Sequence, residues 1–291
     1  MVTGILLSFL SGILTIFFGA VFRFAGVKYD FKQTMLLYNI LSAVFVGIFS
    51  LIYFESWASF CIAGAVLSMI SGAINISGLM LLRKAMDIGN SGVAWAFCQA
   101  SLLGPFLFGI LCYKERPSIL QYSGIGAILI ALIILGSSNS GGSQESTHRV
   151  KYLILSVSSF LFGCINGSVI LTVSKIAPEF SLSVRTLFML LGAIIILGVI
   201  CLFSPQKIII NKGMVVSSLG LSLFGIFSTI SMLWGNNELA AVKLGGLAIP
   251  IIQGSAIGGF ALYSKFFLKE ATSLMKWFGI ILIILGIILM M

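Results

Sequence analysis

Gln99-Ala100-Ser101-Leu102-Leu103-Gly104 returns 154 residues later as Gln253-Gly254-Ser255-Ala256-Ile257-Gly258. Both copies run into a Lys-Glu pair and then a glycine nine residues past the Glu: Lys114-Glu115 with Gly124, Lys269-Glu270 with Gly279. Gly92 and Gly246 lead the copies at the same offset. A repeat spanning half of a 291-residue chain implies two related halves, and composition says where they sit. Hydrophobic residues make up 59% and charged residues 9%, with a mean hydropathy of +1.16. Soluble domains carry about 25% charged residues, so most of this exterior must face lipid.

A helix needs roughly 20 apolar residues to cross a bilayer. Polar, glycine or proline breaks divide the chain into ten such stretches: 3–23, 34–53, 59–82, 90–113, 118–136, 152–173, 184–203, 214–234, 244–267 and 273–291. The N-terminal segment lacks the basic region and small-residue cleavage site of a secretory signal, so it reads as the first span. The one longer polar stretch, 137–151, contains SSNSGGSQESTHR and is a flexible linker by composition. It separates a first five-helix repeat, 1–136, from a second, 152–291. An odd number of spans per repeat reverses the second copy in the membrane. The expected fold is therefore an all-α integral membrane protein of ten helices, arranged as two inverted five-helix repeats.

Orientation follows from the cations. The breaks after spans 1, 3, 5, 7 and 9 collect twelve of the 17 Lys and Arg residues, from Arg23 to Lys276; the other side receives Lys114, Arg116, Lys175, Arg185 and Lys243. The positive-inside rule then puts the twelve in the cytoplasm and both termini outside. A net charge of +9 spread singly between apolar runs is a topology signal and argues against nucleic-acid binding. All five cysteines fall inside apolar stretches without a CxxC, and the single histidine, His148, lies in the linker. Neither a metal site nor a cofactor is expected.

Polar side chains in mid-span are the candidates for chemistry. Gln99 and Gln253 each sit near the middle of a span, followed two residues on by Ser101 and Ser255. An amide in hydrocarbon needs a partner, so both face the interior. There they contact a substrate or bond a neighbouring helix, and the spacing leaves both readings open. Asn75 and Asn166 lie deep enough to line a cavity. Trp95 is too deep for an interfacial belt and suits the apolar wall of a site. Pro105 and Pro250 each remove an intrahelical bond and are candidate gating kinks. No Asp or Glu stands in mid-span, so no coupling ion is legible.

The two Lys-Glu stretches, LCYKERPSILQYSGIGAILIALIILG and FLKEATSLMKWFGIILIILGIILM, resemble the fourth-to-fifth helix junction of the EamA-type repeat in the drug/metabolite transporter superfamily. Ten spans in two halves match that family's plan over the whole chain. The resemblance implies that spans 1–4 and 6–9 surround a central cavity, with spans 5 and 10 outside it. Gly124-x-Gly126 and Gly279 would let those two approach their neighbours. Spans 1 and 6 share only Ser-Phe-Leu-x-Gly, at Ser8–Gly12 and Ser159–Gly163. The expected protein is a monomer in the plasma (inner) membrane, with the lipid bilayer and a small-molecule substrate as its partners and no nucleic acid.

The function expected is secondary transport of a small polar metabolite by alternating access. Uncharged amides, hydroxyls and aromatic rings suit a neutral or zwitterionic cargo such as an amino acid, sugar or amine. A membrane receptor or scaffold with a ligand cavity would look the same in sequence. An intramembrane enzyme would need a nucleophile with a base, or clustered acids, which these spans lack.

Overall fold

A computed structural model describes residues 1–52, 60–114, 116, 118–137, 146–204, 210–241, 248–270 and 273–289. Among these residues there is no strand. The helices are α1 (Val2–Lys28), α2 (Phe31–Ile52), α3 (Ile62–Ile88), α4 (Ser91–Gln99), α5 (Leu103–Tyr113), α6 (Ile119–Ser137), α7 (Ser146–Ile176), α8 (Leu182–Leu202), α9 (Lys212–Ala241), α10 (Ala248–Phe266) and α11 (Leu274–Leu289). A 3₁₀ turn at Ala100–Leu102 joins α4 to α5. Among the described residues, seven rods are long and apolar enough to cross a membrane: α1, α2, α3, α4 continued through α5, α7, α8 and α9. The chain is an α-helical multi-pass membrane protein. α6 and α11 are apolar but shorter.

Most helices overrun the expected spans, because the apolar pattern marks only the lipid-crossing part of a helix. α7 begins at Ser146, inside the stretch read as linker, and carries His148, Arg149 and Lys151. Residues 138–145, Glu115 and Gly246 lie outside the described residues, as do the side chains of Asn236, Asn237 and Pro250. The expected fourth span is a broken rod. Pro105 has no N–H to offer the Ser101 carbonyl four residues back, and the backbone tightens into the 3₁₀ turn there.

Caps and hydroxyls follow the requirement that polar groups in lipid be satisfied internally. Asn90 Oδ1 accepts from the Val93 N–H at 2.9 Å, Asp30 Oδ1 from Gln33 at 2.9 Å and Asn211 Oδ1 from Met214 at 2.8 Å. Within helices, Ser68, Ser77, Thr172, Ser217 and Thr229 donate to the carbonyl four residues back. The repeated lysines gain a structural meaning. Lys114 (φ 55°) and Lys269 (φ 52°) both adopt the left-handed conformation and are the only non-glycine residues to do so among the described residues. Lys114 ends α5 this way.

The halves interleave. α1 packs on α9 and α10, while α7 packs on α3 and on the α4–α5 rod. α2 packs on α8 and α9, α3 also on α8, and α10 on α4 and α11. α6 packs on α11 to one side, where Gly279 lies against Leu135 and Gly286 against the Gly124 carbonyl and Ile128. Gly126, expected to serve such an approach, faces open space instead.

Where α3 crosses α8 the backbones themselves touch. A Cβ on Gly72 would overlap the Met189 carbonyl, and one on Gly192 would overlap that of Met69. Neither carbonyl can move without breaking its own helix. Gly192→Ala is therefore expected to lower stability by about 1–3 kcal/mol through overpacking, whereas Gly126→Ala leaves it within roughly 0.5 kcal/mol or raises it. Thermal unfolding of the purified variants in one detergent checks both.

Candidate functional site

The bundle has two unlike ends. At the end holding the last turns of α1 and α3, polar contacts tie many helices together. Arg23 (from α1) and Arg83 (from α3) share the Asp87 carboxylate, Arg23 at 3.0 Å. Gly26 makes room for the buried Arg83 guanidinium. The Tyr152 hydroxyl on α7 donates to the Asn90 carbonyl at 2.9 Å. Glu270, just past α10, accepts from the Ser91 N–H at 2.8 Å with Oε2. A carboxylate at a helix N-terminus complements its exposed donors and its dipole, so this bond joins the second half to the start of α4. Here the Glu of the repeated Lys-Glu pair has a partner.

At the same end α2 and α9 are joined by two bonds: Ser218 Oγ donates to the Thr34 carbonyl at 3.0 Å and Ser222 Oγ to the Tyr38 carbonyl at 3.1 Å. Beyond Tyr38 a cavity of about 170 Å3 lies between α2, α8 and α9. Tyr38, Ser42, Phe45 and Phe49 line it from α2, Ser183 and Thr186 from the first turns of α8, and Gly225 and Thr229 from α9. α8 starts where α7 ends, at the end opposite to the Arg–Asp cluster, so the cavity belongs to that half of the bundle's thickness.

None of the residues singled out by the repeat lines this cavity. Ser101 lies over Gly163 of α7, and Ser255 over Gly12 of α1. The Ser255 hydroxyl donates to carbonyls of its own helix, Ile251 at 2.6 Å and Ile252 at 3.0 Å. Both serines thus pack across the halves, each on the glycine that closes a Ser-Phe-Leu-x-Gly. Pro105 packs its ring against Gly167, which fixes the broken rod on α7. Asn166 accepts from the Ser71 hydroxyl at 2.5 Å and bonds α7 to α3. On the other side Thr15 and Ser11 of α1 bond Ser228 of α9 at 2.9 and 3.1 Å.

Two of the expected site residues keep a buried polar atom without a partner, and a third stands exposed. Trp95 is buried and stacked on Phe260, with centroids 4.8 Å apart, yet its indole N–H has no partner. Gln253 Oε1 is likewise buried without one. Gly92 meets Ser264 and Trp95 meets Phe260, so α4 and α10 run antiparallel. At about 1.5 Å per residue, Gln99 and Gln253 then stand within one helical turn of the same level. Asn75 is exposed although Ser68, Ser71, Gly78 and Leu82 on its own face of α3 are buried. It stands opposite Val66, Ile70 and Lys84, the outward side of α3, so it faces open space within the bundle.

Ser42, Thr186 and Thr229 were not legible as site residues. They share helix faces with Phe45, Leu182 and Ile226, a pattern that lipid-facing surfaces produce equally well. Among the described residues, no group of three His, Cys, Asp or Glu is placed to hold a metal.

No family model and no curated protein matches the chain. One solved structure, described only as "crystal structure of protein", is similar to it with a TM-score of 0.63 and 16% identity, covering 98% of this chain and 95% of that one. Identity this low carries the fold alone.

The geometry separates holding from lining. Asn166→Ala is expected to cost about 0.6–1.7 kcal/mol, the measured scale of interhelical bonds in membranes. Asn75→Ala should stay within roughly 0.5 kcal/mol. Denaturant titration in mixed micelles distinguishes them, and equal losses would place Asn75 in a packed contact.

Proposed function

We propose that the protein is a secondary transporter of the EamA-type, drug/metabolite transporter plan, moving a small uncharged or zwitterionic metabolite across the plasma membrane by alternating access. The observation carrying this reading is the difference along the bundle: α2 and α9 are bonded at the Arg–Asp end, and beyond Tyr38 a cavity lies between them and α8.

The arrangement as ten spans in two inverted repeats draws support from the packing. Exchange each rod for the one five places along, counting α4–α5 as one. The α1–α9 contact becomes α7–α3, α1–α10 becomes α7 on the α4–α5 rod, and α2–α9 becomes α8–α3; α2–α8, α4–α10 and α6–α11 return to themselves. Residues follow the helices. Gly12–Ser255 corresponds to Gly163–Ser101, and Gly235 against Ser8 corresponds to Gly78 against Ser159. The bond of Ser228 to Thr15 corresponds to that of Ser71 to Asn166. A machine with this pairing has a second state in which the bonded and cavity-bearing ends are exchanged.

In that second state the Glu270–Ser91 contact must open. Hydrogen bonds to charged groups are worth about 1.5–3 kcal/mol, so Glu270→Ala should raise access to α4 from the Arg–Asp end about tenfold. The readout is maleimide labelling of Ala94→Cys in a background freed of native cysteines, with the reagent added on that side. Unchanged labelling would remove Glu270 from the closure.

Transport itself is tested by reconstitution into liposomes and uptake of a panel of amino acids, sugars, amines and nucleosides. Saturable uptake of one class supports the reading, and a roughly tenfold loss of that uptake in Gln99→Ala or Gln253→Ala would place the cargo at the α4–α10 crossing instead of in the cavity between α2, α8 and α9. No flux of any solute, with saturable binding retained, would make the protein a receptor.

A further inference from the structure

The cavity between α2, α8 and α9 has a hydrogen-bonding polarity of its own. The Thr186 hydroxyl donates to the Leu182 carbonyl at 2.8 Å, and the Thr229 hydroxyl to the Gly225 carbonyl at 2.9 Å. Each spends its only hydrogen on its own helix, so the oxygen it presents to the cavity is an acceptor. These two acceptors stand on different helices, α8 and α9, both lining the same space. The described lining contains no Lys, Arg, His, Asn, Gln, Asp or Glu. The nearest cation along α8, Arg185, is turned away: its guanidinium donates to Ser174 Oγ at 3.0 Å and to the carbonyls of Ala177 and Pro178 at the end of α7.

The remaining wall adds the hydroxyls of Tyr38, Ser42 and Ser183, each able to accept as well as donate, to an otherwise aromatic and aliphatic surface with Tyr38, Phe45 and Phe49 along one side of α2. Ring faces carry negative potential and attract N–H donors and ammonium groups. A carboxylate or phosphate would lose its hydration here and meet no cation, at a large cost. A sugar would leave many hydroxyls against apolar side chains. An amine on an apolar body meets both features at once.

We propose that this cavity binds an organic amine, its N–H groups donating to Thr186 Oγ1 and Thr229 Oγ1 and its apolar body lying on the α2 rings. The proposal rests on reading the cavity as the cargo site and narrows the metabolite classes considered above to one.

The test uses the full chain in lipid nanodiscs and three ligands of one shape: 2-phenylethylamine, 2-phenylethanol and 3-phenylpropionate. Calorimetric titration at neutral pH should show saturable binding of the amine, at least about tenfold weaker binding of the alcohol, and none of the carboxylate. Thr186→Val and Thr229→Val keep the branched shape and remove the acceptor, so each should weaken amine binding about tenfold. Thr186→Ser and Thr229→Ser keep the oxygen and should restore it, which separates a lost contact from a misfolded protein. Equal binding of amine and carboxylate overturns the proposal, and so does amine binding unchanged in both valine variants. Absence of amine binding, with the cavity filled by lipid, overturns it as well. Liposome flux separates the two readings. Threonine-dependent amine binding without flux removes the transporter and keeps the ligand. Flux of another solute that the amine does not inhibit keeps the transporter and removes the ligand.

Discussion

Lipid tails are as apolar as leucine, so water does not squeeze these helices together as it would in a soluble core; they hold where their backbones come close enough for dispersion and short polar bonds to act. Close approach is therefore the condition on which the rest of the structure depends. Gly12 beneath Ser255, Gly163 beneath Ser101, and the paired Gly72 and Gly192 are the points where it is achieved. Only with α7 drawn onto α3 can Ser71 reach Asn166, and only with α1 drawn onto α9 can Thr15 reach Ser228. The stack of Trp95 on Phe260 likewise requires Gly19, against whose missing side chain both rings lie.

The same constraint explains what could be read from the sequence. Helix positions were legible because lipid-crossing runs must be apolar, and the break in the fourth rod because Pro105 lacks a donor. The serines of the repeat were legible as important, but a repeated small polar residue marks a helix crossing as readily as a ligand contact, and Ser101 and Ser255 stand at crossings. Lys114 and Lys269 gave no hint of their left-handed backbone, since lysine is not a residue that favours it. The cavity was least legible of all. Phe45, Phe49 and Leu182 are the residues a lipid-facing stripe would carry, and only tertiary packing distinguishes an inner apolar face from an outer one.

The polarity of the closed end also has an energetic side. Besides the Arg23 and Arg83 pairing with Asp87, its contacts are individually modest: two serine-to-carbonyl bonds between α2 and α9, one tyrosine bond and one carboxylate at a helix terminus. Interhelical bonds of the serine kind average about 0.6 kcal/mol in membranes. Under the proposed alternating access, an end held this way would be released by the binding energy of a small ligand. The glycine crossings between backbones have no such latitude and serve as fixed pivots.

Gly12 and Ser101 both belong to the first half of the chain, and each finds its match only in the second. That half therefore carries a socket on α1 and the knob that fits it on α4, and its own fold keeps the two apart. The second half carries the same pair, Gly163 and Ser255. A surface that contains both members of its own contact is complementary to a copy of itself. On the proposed repeat plan, genetic fusion would do something other than create the interface: it would fix the stoichiometry at one of each, and leave each copy free to diverge, as in Pro105 and its glycine seat on one side alone.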